Sequence, residues 1–161
     1  KPAMFLTSYL LIKYWLYNKE IILSLGKNLK NVKKFVFFGI SSAICLTLHS
    51  VFLGIKFDYD LYKLFRRVIL VSFIIFEVVA QAYLVLTLYS LRGYLEKYIR
   101  PKILIIKLIL VVTLIIVALI SIPIVSMPGN KYFKHALEWD YFLGVITFYL
   151  LTFFMWKKKV N

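Results

Sequence analysis

A run of mainly apolar residues from Val68 to Leu91, framed by Arg66-Arg67 and Arg92, carries a single acidic side chain, Glu77, near its middle. A helix rising ~1.5 Å per residue needs about twenty apolar residues to cross a hydrocarbon layer ~30 Å thick, so the run reads as a membrane-spanning helix. Glu77 then lies ~14 Å from the arginine end, close to the bilayer centre. A carboxyl at that depth costs roughly 2.5–3.5 kcal/mol on insertion scales, and it is expected to face protein or water and not lipid. Gln81 follows at i+4 on the same face, with the small Ala80 beside it.

The rest of the chain is built in the same manner. Apolar residues make up 62% of its 161 residues, above the ~45–50% of soluble domains, and the mean hydropathy is +0.84. The formal charge of +14 is that of many nucleic-acid-binding proteins. Here, however, the basic residues stand at the ends of apolar runs, where they snorkel to the interface and set orientation, so nucleic acid is not an expected partner. A single cysteine, Cys45, excludes an internal disulfide and a cysteine-rich metal site. The chain starts at Lys1 without a signal-peptide pattern, which suggests processing or a missing start.

Taken in order, the expected spans are about residues 3–17, 35–55, 68–91, 103–126 and 141–156. The first is short for a crossing and contains Lys13. Between the first two, KEIILSLGKNLKNVKK spaces Ile21, Ile22, Leu25, Leu29 and Val32 as a helical stripe among five lysines, the pattern of an interfacial amphipathic segment. In the second span Gly39 and Ala43 form a small-xxx-small pair suited to close helix contact, with Ser41 and Ser42 on the same small face. Pro101 stands where a helix can begin, and Pro128-Gly129-Asn130 is a turn signal. The fourth span is nearly featureless, with Lys107 near one end. The expectation is a single-domain, all-α polytopic membrane bundle of five transmembrane helices plus one short interfacial segment.

Basic residues cluster in the Asn18–Lys34 connection, in the Arg92–Lys102 connection and after Trp156. Five crossings bring all three to one side, which the positive-inside rule assigns to the cytoplasm. Lys27, Lys30, Lys33 and Lys34 are the expected contacts for anionic lipid, although a plain basic connection explains them as well. Trp15, Tyr17, Tyr94, Tyr98, Trp139, Tyr141 and Trp156, at span ends, read as an interfacial aromatic belt.

Under this topology His49, Glu77, His135, Glu138 and Asp140 lie at or above mid-membrane on the non-cytoplasmic side. Glu77 and His49 differ in depth by ~7 Å, close enough for Gln81 or a water to connect them. One reading is an outward polar pocket between the second, third and fifth spans, in which Glu77, Gln81, His49, His135 and Glu138 bind a ligand or a proton. The other is a neutral glutamic acid that joins helices by hydrogen bonding. Zinc needs three or four ligands and no ligand spacing is present. No nucleophile setting or Gly-rich phosphate loop occurs either. No metal or cofactor and no catalytic activity are expected.

The last span, HALEWDYFLGVITFYLLTFF, opens with Ala136 and the Glu138-Trp139 pair and continues through Phe148-Tyr149 and Thr152-Phe153. It resembles the last helix of the Frag1/DRAM/Sfk1 family over about 25 residues. That resemblance implies a six-span protein with both termini cytoplasmic, concerned with membrane lipid organisation, of which one span would be missing here. Two function classes follow from the chain as a whole. One is an accessory or structural subunit packing against other membrane proteins in the lipid bilayer. The other is a lipid-handling or small-solute protein using a pocket around Glu77.

Overall fold

A computed structural model describes residues 2–24, 30–53, 55, 59–126 and 131–157, without the side chains of 30, 63, 121–126, 131–135 and 138. Six helices follow one another: α1 (Pro2–Ser24), α2 (Lys30–Phe52), α3 (Asp60–Ser90), α4 (Arg92–Leu95), α5 (Pro101–Ser126) and α6 (Lys131–Met155). Among the described residues the one β feature is an isolated antiparallel bridge between Ile99 and Trp156. The expected all-α class is what the chain adopts. Three helices are long and apolar enough to cross a membrane, over Asn31–Phe52, Asp60–Ser90 and Pro101–Ile120, and Trp139–Met155 is a shorter apolar helix.

Several boundaries differ from the sequence reading. The interfacial segment is not an element of its own: Lys19–Ser24 continues α1, and Lys30–Lys34 opens α2. Its stripe was read as a surface helix, but Ile22 and Val32 are buried in the protein. α3 starts at Asp60, not at residue 68, because DLYKLFRR has no helix breaker and puts a carboxylate in the first turn, where the helix dipole favours it. Pro101 does open α5, its missing N–H falling where no intrahelical partner exists. The Pro128–Asn130 turn lies outside the described residues.

The structure falls into two compact units, Lys1–Leu84 and Val85–Asn161. In the first, α1 buries Ser8, Leu11, Trp15, Asn18 and Ile22, a spacing of alternating three and four residues that keeps one seam facing a partner. α2 answers with Val32, Phe35, Ala43 and Leu46, also buried. Trp15 is fully buried, its ring 6.1 Å from Phe35. It lies so close over Gly39 that a Cβ there would overlap the indole. This corrects the reading of Trp15 as an interfacial belt residue: Gly39 makes the recess that the indole fills. α2 and α3 run antiparallel. Tyr62 donates to the Phe52 carbonyl at 2.7 Å at one end, and Phe38 stacks on Tyr83 at 6.0 Å at the other.

In the second unit, α5 buries Leu104, Lys107, Val111 and Leu114, and α6 buries Tyr141, Phe148, Thr152 and Met155. These helices are antiparallel. Arg100 N donates to the Met155 carbonyl at 2.9 Å and Lys157 N to the Tyr98 carbonyl at 2.8 Å, while farther along Tyr141 Oη donates to the Leu114 carbonyl at 2.7 Å. Tyr141 is therefore a tether between helices and not a belt residue. Tyr17, Tyr94, Tyr98 and Trp139 are exposed, as a belt requires.

Candidate functional site

Within the first unit the acid at the centre of α3 is fully buried. Ser42 Oγ on α2 stands 2.6 Å from Glu77 Oε2, and Gln81 Nε2 donates to Glu77 Oε1 at 3.1 Å. Ser42 and Gln81 are fully buried as well. α3 presents Glu77 and Gln81 together because four residues make just over one turn. Ser42 Oγ is also 2.8 Å from the Gly39 carbonyl. A hydroxyl has one proton to donate; the two contacts are satisfied together when a neutral Glu77 donates to Ser42 Oγ and Ser42 donates to Gly39.

His49 does not join this group, contrary to the expected Glu77–His49 pairing. It lies seven residues beyond Ser42 on α2, ~10 Å along the axis, and Ser42 occupies the level of Glu77. Instead, His49 lines a cleft of ≈ 290 Å³ with Arg66, Arg67 and Leu70 of α3. His49 Nδ1 and Arg66 Nε are buried without a hydrogen-bond partner. The remaining sequence candidates, His135 and Glu138, fall within α6 and not in a preceding loop, and their side chains lie outside the described residues. Of the four lysines read as lipid contacts, Lys33 and Lys34 are exposed. Lys34 lies 5.2 Å over the Tyr83 ring, and Lys33 lines a second cleft with Lys19, Leu23 and Val36. Lys27 and the Lys30 side chain lie outside the described residues.

The second unit holds a site that the sequence reading missed. Lys107 is fully buried; its Nζ donates to Thr152 Oγ1 at 2.5 Å and sits 3.8 Å from the centre of the Phe148 ring. Thr152 passes its own proton to the Phe148 carbonyl at 3.0 Å. The signal was a cation four residues inside the most apolar run of the chain, where a buried charge needs a partner. Its place near one end of an otherwise featureless span gave no sign of a buried partner.

Among the described residues no group of three or more His, Cys, Asp or Glu could hold a metal ion. The fold and these sites define an all-helical protein with three helices long and apolar enough to cross a membrane, whose buried polar side chains join neighbouring helices. No protein-family model, curated protein or solved structure matches the chain.

Proposed function

We propose that the chain is a non-enzymatic, multi-pass membrane protein that serves as an accessory or structural subunit, packing against other membrane proteins. The observation that carries this reading is the closure of the Ser42–Glu77–Gln81 group: the one acid inside a long apolar run is occupied in joining α2 to α3. Lys107 and Thr152 do the same for α5 and α6. Polar side chains that bridge helices in this way hold a bundle together where lipid provides no hydrophobic drive for association. Five crossings remain the preferred count, since α1 and α6 have 23 and 25 residues, or ~35 and ~38 Å of helix at ~1.5 Å per residue. The bonds from Arg100 to Met155 and from Lys157 to Tyr98 hold two of the basic segments side by side, which supports the proposed cytoplasmic face at that end.

Native mass spectrometry of the protein gently extracted from its membrane tests the subunit reading. Stoichiometric companion chains are the expected result, and a chain that always arrives alone would sink it. The second reading, lipid or small-solute handling at Glu77, is favoured by one observation: Gln81 Oε1 is buried beside Glu77 without a hydrogen-bond partner. On that reading Glu77→Gln abolishes function while assembly persists.

A further inference from the structure

Beyond the subunit role, the α2–α3 pair carries a cationic recess. His49 and Arg66 come from facing helices, Arg67 adds a second guanidinium, and Leu70 supplies an apolar wall. No ion pair neutralises either arginine among the described residues, and Arg66 Nε and His49 Nδ1 are sealed from solvent with no acceptor or donor opposite them. Leaving such groups unpaired is costly, so an arrangement of this kind is a receptor for a group that pairs with them. Three nitrogen-bearing side chains with no carboxylate among them select an anion. The planar guanidinium fork matches tetrahedral phosphate oxygens better than a point charge does.

Size and depth narrow the ligand further. The ≈ 290 Å³ cleft falls just below the ~300–1,000 Å³ of small-molecule sites, which suits a headgroup and not a large cofactor. His49 precedes Phe52, where the α2 span ends, by three residues, and the arginines immediately precede the apolar run that starts at Val68. Both therefore sit at the boundary between hydrocarbon and water, the level at which lipid headgroups lie and interfacial basic residues anchor. We infer that the His49–Arg66–Arg67 cleft binds a phosphate group of net negative charge, either an anionic phospholipid headgroup or a free phosphate ester.

The test uses the full chain in neutral detergent, titrated with phosphatidylglycerol or phosphatidylcholine and read by native mass spectrometry. Phosphatidylglycerol is expected to be retained preferentially. Arg66→Gln and Arg67→Gln should each weaken its apparent Kd about tenfold, the scale of one charge-assisted hydrogen bond, while Lys97→Gln, at an exposed position outside the cleft, leaves it unchanged. Displacement of the lipid by an equal concentration of glycerol phosphate identifies a free phosphate ester as the occupant, and retention identifies the lipid. Equal lipid binding by the unaltered chain and a double R66Q/R67Q variant overturns the proposal. Should that variant fail to fold, nitrogen NMR of the His49 imidazole in the unaltered chain decides: a shift with phosphatidylglycerol and none with phosphatidylcholine is expected, and no shift with either overturns it.

Discussion

At the scale of single residues, the two buried groups differ in what their removal should do. Glu77→Gln keeps a donor and an acceptor facing Ser42 and Gln81, and should cost under ~1 kcal/mol in detergent unfolding. Glu77→Leu removes the acceptor of Gln81 Nε2 and leaves Ser42 only its bond to the Gly39 carbonyl, and should cost about 1–3 kcal/mol; similar unfolding curves for the two variants would count against the helix-joining role. Among the described residues the buried Lys107 amine is held by a hydroxyl and a ring face. Thr152→Val removes its acceptor and should destabilise by about 1–3 kcal/mol. Lys107→Met removes the charge itself and should be neutral or stabilising, as is common when buried charges are replaced by apolar residues of similar size. The combined variant should recover most of the loss from Thr152→Val, and a purely additive double-mutant cycle would show that the two side chains are not coupled. Glu77 was legible in the sequence because a carboxylate in an apolar run stands out. Its partner was not: Ser42 is one of several small polar residues, and depth alone placed His49 as near.

At the scale of elements, the apolar runs announced helices, yet the runs alone could not say which face packs. α5 is apolar on nearly every side and the polar residues of α1 are spread around it, so hydropathy has little helical period to read. The packing face is marked by small and polar side chains: Ser8 and Asn18 on α1, Gly39 and Ser42 on α2, Lys107 on α5, Gly144 and Thr152 on α6. Gly39 was legible as a contact point, and Trp15 as its occupant was not, since an aromatic near a basic cluster has an equally good reason to sit at the interface. Gly39→Val places side-chain atoms where the Trp15 indole lies and should cost about 1–3 kcal/mol, the usual penalty of overpacking. Pairing it with Trp15→Leu should restore part of the loss in thermal unfolding. Gly144 meets Leu114 in the same manner, with a Cβ falling 2.5 Å from Leu114 Cδ2, and Gly144→Val should loosen α5 from α6.

At the scale of the whole molecule, the proposed five crossings would place Lys33, Lys97 and Lys157 on one side of the membrane. Single cysteines at these positions, in a chain with Cys45→Ala, should react with an impermeant reagent from the cytoplasmic side alone. Labelling of Lys33→Cys from the opposite side to Lys157→Cys would remove the five-span topology. The helical class was legible because bilayer thickness ties length to composition. The span count was less so: α1 and α6 carry charges within or beside their apolar parts, and such segments cross or lie on a membrane according to what packs against them.

The burial of Trp15 has an optical consequence. Of the three tryptophans, Trp139 is 66% exposed and Trp15 wholly enclosed. Brominated acyl chains and aqueous iodide should therefore both spare the emission of Trp15. In a chain with Trp139→Phe and Trp156→Phe, fluorescence becomes a gauge of whether α1 and α2 remain closed, read in intact vesicles without any added label.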